Sequence, residues 1–189
     1  MTYSLEDLAR VLKVLVDAGV RGVIIGSTVV QLEMRSRELA EDVDIFVEEP
    51  SPFIEEDFYR ELARRHNWGL GQTWLGTPSL IARMGDEEIV VELYENIYDF
   101  YVPPEVLQRA PKKNLRGVTF RVLRLEDYAL LKAKAGRDED MEDLEELATL
   151  VKSGEVKFDK RLVKESLQFF PEEDQPLMEK RLKKVGLLE

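Results

Sequence analysis

Apolar residues recur three and four apart at the start of the chain, at Leu5, Leu8, Val11, Leu12, Leu15 and Val16, and the pattern stops at Gly19. That spacing predicts an amphipathic helix, with Ser4 and Asp7 forming a capping-box-like start. Val20 to Ile25 is a short, mostly β-branched run that ends at Gly26 and Ser27, and Thr28 to about Arg35 is compatible with a helix. A strand, a tight turn and a helix start are expected in that order.

The period then changes to two. Val43, Ile45 and Val47 alternate with Asp42, Asp44 and Phe46, so both aspartates belong to one face of a strand and the aliphatic side chains to the other. Pro50 and Pro52 end this strand, and 53–66 reads as a charged helix carrying Phe53, Phe58 and Leu62, closed by Asn67, Trp68 and Gly69. Two further strands are expected over 72–84 and 87–94, joined by a hairpin near Gly85 and Asp86. In the second, Ile89, Val91 and Leu93 face one way and Glu88, Val90 and Glu92 the other. Pro103 and Pro104 open a short helical segment, and Val118 to Leu123 reads as one more strand. From Leu125 onward the chain reads as three or four helices, with breaks near Gly136 to Asp140, at Ser153 and Gly154, and at Pro171. The expected organisation is an α/β (α+β) core over 1–124 with a helical region, 125–189, packed on it.

Composition narrows the chemistry. The 38 Asp and Glu outnumber the 27 Lys and Arg for a net charge of -11, which disfavours nucleic-acid backbones and anionic membrane surfaces. With no Cys and only His66, disulfides, thiolate zinc sites, a cysteine nucleophile and multi-histidine metal sites are excluded. The start lacks a basic stretch followed by an apolar run, and no later stretch is long enough to span a bilayer, so a soluble cytoplasmic protein is expected. A charged fraction of 34% with three Asn leans towards a thermophilic source.

Aspartates two apart on a strand point the same way, about 6 to 7 Å apart, and can chelate hard cations from one face. Asp42 and Asp44 have this spacing, which exposed strand-edge carboxylates share. Gly26 and Ser27 stand where a strand gives way to a helix, where backbone N–H groups and the helix dipole favour a phosphate. Gly-Ser is also an ordinary helix start; the succession of strand, Gly-Ser, helix and strand with Asp-x-Asp is more telling.

Gly26, Ser27 and Asp42-Val43-Asp44-Ile45 resemble the signature of the nucleotidyltransferase superfamily related to DNA polymerase beta. The segment from Ile24 through Val47 is most similar to small prokaryotic stand-alone members and to the nucleotidyltransferase-like toxins of abortive-infection systems. The resemblance implies a mixed sheet flanked by helices, with a third acidic residue from a later strand. Val90-Val91-Glu92-Leu93 matches that segment and makes Glu92 the choice, with Glu88 and Glu95 as competitors. Leu130-Leu131-Lys132-Ala133 and the run through Leu144 are similar to a helical segment after the family's core. There Lys132 could clamp a triphosphate or simply cover apolar surface with its stem. Glu139 departs from the Lys common at its position, which removes a basic contribution from that turn.

The reaction implied is attack of an acceptor oxygen on the α-phosphorus of a nucleoside triphosphate, such as ATP, with Asp42, Asp44 and Glu92 holding Mg²⁺ or Mn²⁺. The acceptor is a small molecule or a protein. A silent relative that keeps the fold as a binding module or toxin-antitoxin component is the alternative. Transfer to RNA would require Arg35, Arg37, Lys112, Lys113 and Arg116 to converge on one face. Trp68 and Trp74 read as core aromatics, His66 as a surface residue, and the acidic run Asp138 to Glu146 as the exposed face and N-terminus of a helix.

Overall fold

Ser4 accepts a hydrogen bond from the Asp7 backbone N–H at 3.1 Å and so caps the first helix, α1 (Leu5–Asp17), whose Leu8, Val11, Leu12 and Leu15 are fully buried. The computed structural model describes residues 2–189. The chain divides into two compact units, one of residues 1–101 and 110–122, the other of 102–109 and 123–189.

The first unit holds every strand among the described residues: β1 (Thr2–Ser4), β2 (Arg21–Ile24), β3 (Glu38–Ala40), β4 (Val43–Glu49), β5 (Gly69–Gln72), β6 (Pro78–Met84), β7 (Glu87–Tyr94), β8 (Lys112–Leu115) and β9 (Val118–Val122). Seven form one mixed sheet in the order β5-β6-β7-β4-β2-β9-β8, and β1 pairs with β3 separately. The register follows the hydrophobic period: Val43 lies opposite Val91 and Ile45 opposite Leu93, which layers four fully buried side chains on one face. The α1 helix packs on β8 and β9, and α3 (Glu56–Arg65) packs on β5 and β6. The short α2 (Thr28–Glu33) follows β2 directly.

Several expectations need adjustment. The helix expected over 53–66 starts at Glu56, because the Ser51 and Phe53 backbone N–H groups turn to the Glu55 and Glu95 carboxylates at 3.1 and 2.9 Å. The strand expected over 72–84 is two strands, β5 and β6, separated by a turn in which the Thr73 N–H donates to the Thr77 carbonyl at 2.8 Å. The Thr77 hydroxyl, donating to the Leu93 carbonyl at 2.6 Å, ties that turn to β7. The hairpin at Gly85 and Asp86 forms as expected, with Gly85 at φ +66°. Strands β1, β3 and β8 are too short to show a period and escape a pattern-based reading.

The second unit is helical: α4 (Pro104–Gln108), α5 (Leu125–Ala135), α6 (Asp138–Ser153), α7 (Lys160–Leu167) and α8 (Gln175–Val185). Four helices after Leu125 match the breaks read from the sequence, and α5 packs on α6, α7 and α8. Asp127 on α5 is fully buried and accepts from Arg109, whose Nε lies 3.0 Å away; Arg109 also donates to Ser166 on α7. In the acidic run, Asp140 is a correction to the exposed-face reading: it is 1% exposed and accepts from the Arg137 backbone N–H and the Lys132 ammonium, each at 3.1 Å. Two cationic partners and a main-chain donor offset the cost of burying that carboxylate.

Candidate active site

Strand periodicity puts Asp44, Phe46, Glu92 and Tyr94 on the sheet face opposite the aliphatic layer, and the parallel pairing of β4 with β7 aligns Asp44 with Glu92 and Phe46 with Tyr94. Neighbouring strands lie about 4.8 Å apart, so the Asp44 and Glu92 carboxylates grow from adjacent positions. Like charges placed opposite one another destabilise a sheet, and nothing in the core packing calls for two acids here. Asp42 immediately precedes β4. Burial raises its carboxyl above the usual Asp range, and the Glu92 and Glu41 charges push it the same way.

The segment leading to Asp42 is held from several directions. The Gln31 side chain on α2 exchanges two hydrogen bonds with the Ala40 backbone, at 3.0 and 2.7 Å. The buried Tyr3 hydroxyl donates to the Glu41 carbonyl at 3.1 Å, and β1 pairs with β3. Burial pushes the Tyr3 phenol up to about 12, and the Asp42, Asp44 and Glu41 carboxylates act in the same direction. Sequence reasoning passed over Gln31 and Tyr3, since a lone Gln in a helix and a lone Tyr before one carry no pattern.

On the other flank, the Ile25 N–H donates to the Asp44 carbonyl at 2.9 Å, which fixes the Gly26 turn against β4. A Cβ on Gly26 would stand 1.9 Å from Asp44 Oδ2, so only glycine leaves that carboxylate its place. Ser27 precedes α2 with helical backbone angles and a side chain that makes no capping hydrogen bond. Because α2 is six residues long, its dipole adds little, and any anion affinity rests on the local backbone at Gly26 and Ser27.

Tyr94, two residues beyond Glu92 and on the same face, donates its hydroxyl to Glu92 Oε2. Its own pKa rises far above the tyrosine norm through burial, then through that hydrogen bond and the Asp44 and Glu92 charges, with the neighbouring Trp74 indole acting against the rise. Period two on β7 was the available signal for Tyr94. Oxygen-only donors suit a hard divalent cation such as Mg²⁺ or Mn²⁺. As they stand, no three Asp, Glu or His side chains among the described residues are gathered closely enough to hold a metal ion. Strand register keeps Asp44 and Glu92 adjacent, and Tyr94 holds the Glu92 carboxylate.

A family model described as "Nucleotidyl transferase of unknown function (DUF2204)" matches residues 4–184. The chain belongs to this family. Among solved structures, this chain is similar to an antigenic nucleotidyltransferase-like protein from Paracoccidioides brasiliensis, with 16% identity, 97% of this chain and 91% of that chain covered, and a TM-score of 0.57. At that identity the likeness shows the fold: a mixed sheet with helices, of nucleotidyltransferase type. The antibiotic-resistance factor ANT(2'')-Ia aligns over 96% of this chain and 84% of its own at 12% identity, with a TM-score of 0.42. No curated protein matches the chain. No helix among the described residues is long and apolar enough to cross a membrane.

The remaining candidate residues of this nucleotidyltransferase family member fall as follows. Lys132 belongs to the helical unit and pairs with Asp140 at 3.1 Å and Asp143 at 2.6 Å. Of the residues an RNA groove would need, Lys113 pairs with Glu33 and Arg116 with Glu6, so both charges are locally neutralised. Glu95 accepts from the Ser51 hydroxyl at 2.8 Å and the Phe53 N–H at 2.9 Å, which commits it to a loop. Glu88 pairs across the hairpin with Arg83 at 3.3 Å. Trp68 is buried as expected, whereas Trp74 is 67% exposed and corrects the core reading.

Proposed function

We propose that the protein transfers a nucleoside monophosphate from a nucleoside triphosphate, ATP in the first instance, to a small-molecule or protein acceptor. The alignment of Asp44 with Glu92 across β4 and β7, with Gly26 against Asp44, carries this reading. Bound at Asp42, Asp44 and Glu92, Mg²⁺ or Mn²⁺ supplies charge neutralisation of the triphosphate and acidification of the acceptor hydroxyl. Gly26 and Ser27 offer the triphosphate an approach without a Cβ, and the Ser27 hydroxyl is a donor not spent on capping. Glu92 stands at the far side of Asp44 from Gly26, on the next strand outward, and is given the role of activating the acceptor. Tyr94 orients its carboxylate. Lys132 belongs to the helical unit, where its ammonium is engaged by Asp140 and Asp143.

A silent binding module is the second reading, favoured by the spread of the three carboxylates. Glu92→Gln separates the two. Incubation with α-labelled ATP, Mg²⁺ or Mn²⁺ and a cell extract is expected to label an acceptor with the native protein and not with Glu92→Gln, while triphosphate binding persists in both. Undiminished labelling by Glu92→Gln would refute the role given to Glu92, and tight binding without any labelled acceptor would establish the silent module.

A further inference from the structure

Beside Glu92 the site continues into an aromatic stack. The Tyr94 and Phe100 rings stack at 5.1 Å with an interplanar angle of 29°, and Trp74 meets Phe100 edge-on at 6.5 Å. Tyr94 is buried at the inner end and bonded to Glu92; Trp74 is 67% exposed at the outer end. Loop geometry holds Trp74 there, because Thr77 ties the β5–β6 turn to β7 and the Thr73 N–H closes it. An isolated tryptophan exposed to this degree is an ordinary surface residue, whereas Trp74 meets, edge-on, a pair of stacked rings that ends on a site carboxylate.

Position assigns the ladder to the acceptor. Across the sheet the order is Gly26 after β2, Asp44 on β4, Glu92 on β7, and then Trp74 in the turn before β6. The stack therefore lies beyond Glu92 from the phosphate-binding turn. Charge narrows the ligand further. The ionisable side chain bonded to the ladder is Glu92, held by Tyr94, and its neighbour across β4 and β7 is a second carboxylate, Asp44. Aromatic faces beside carboxylates attract cations and repel anions.

We infer that Trp74 and Phe100 seat the planar ring of a small cationic acceptor whose hydroxyl is presented to Glu92. This rests on the nucleotidyl-transfer reading for the role of Glu92, but the ring seat itself is measurable without nucleotide.

Three probes share one ring and differ in charge: tyramine, 4-hydroxybenzyl alcohol and 4-hydroxyphenylacetate. Titrated against the native protein and followed by tryptophan fluorescence and ligand-observed NMR, tyramine is expected to bind about tenfold or more tightly than 4-hydroxyphenylacetate. Trp74→Ala should weaken tyramine about tenfold or more, Trp74→Phe should retain most of it, and the exposure of Trp74 makes both variants safe for folding. Equal tyramine binding by Trp74→Ala, or preference for the anionic probe, would overturn the seat. Competition of tyramine by MgATP but not by magnesium tripolyphosphate would place the nucleotide base on Trp74 and overturn the acceptor assignment. Trp74-dependent tyramine binding by a protein that does not bind MgATP at all would support the ring seat and sink only the nucleotide reading.

Discussion

Replacing Gly26 with Ala adds one carbon, and the structure says where it goes. The new Cβ would lie 1.9 Å from Asp44 Oδ2, 2.7 Å from its Cγ and 2.9 Å from its Cβ, against an ordinary contact distance of 3.4 Å or more. The Asp44 carboxylate must therefore retreat by about 1.5 Å, the difference between 3.4 and 1.9 Å. Reacting groups tolerate roughly 0.5 Å, and a misplacement of about 1 Å costs around a hundredfold in rate. Folding should suffer less than activity, because the nearest obstacle is the end of a half-buried side chain that can rotate, while the 2.9 Å contact with Asp44 Cβ asks a small shift of the main chain, so a loss of about 1 to 3 kcal/mol is expected. Gly22→Ala is the control: its Cβ would meet the Phe46 carbonyl oxygen at 2.4 Å and Ile45 Cγ2 at 2.9 Å, a clash with main chain inside the sheet. Urea unfolding and MgATP calorimetry on both variants, with transfer assays on Gly26→Ala, test the reasoning. Gly26→Ala should stay folded, lose MgATP affinity and lose about a hundredfold or more in transfer. Native MgATP affinity and transfer rate in Gly26→Ala would refute the idea that Asp44 works from where Gly26 lets it stand.

MgATP should raise the unfolding temperature of the native protein by mass action, and Asp42→Asn with Asp44→Asn should abolish the shift; differential scanning fluorimetry reads this, and a surviving shift would locate nucleotide elsewhere. The buried Asp140 carboxyl is pushed up by burial but pulled down further by Arg137 and Lys132, leaving it below the usual Asp value. Its stabilisation is therefore fully present above about pH 4, the unfolded Asp value, and is lost as pH falls through the folded one. Asp140→Asn should accordingly be less stable than the native protein at pH 7 by about 3 kcal/mol, a gap that narrows on acidification below about pH 4, and urea melts across that range would contradict this if the gap stayed constant.

The period of two over 42–47 and 88–93 already places Asp42 and Asp44 on one face and Glu92 on a strand face, because side-chain alternation is local to each strand. Helical spacing with glycine and proline punctuation likewise gives α1 and three or four helices from Leu125, of which the structure has four, each stop being set within its own few residues. The strands β1 and β3 and the late start of α3 were not legible: three-residue strands show no period, and the turn before α3 depends on Glu95, which is distant in sequence. Which acid faces Asp44 is also a tertiary matter. The resemblance makes Glu92 the choice over Glu88 and Glu95, and the parallel register of β4 with β7 is what sets Glu92 against Asp44, while Arg83 and the Ser51 loop engage the other two. The same holds for Trp74, an apolar residue near a strand that propensity assigns to the core, but that the Thr73–Thr77 turn carries out to the surface beside Tyr94 and Phe100. Local sequence determines which residues share a face; pairing between distant strands, whose register depends on burying the whole aliphatic layer at once, decides which of those faces meet.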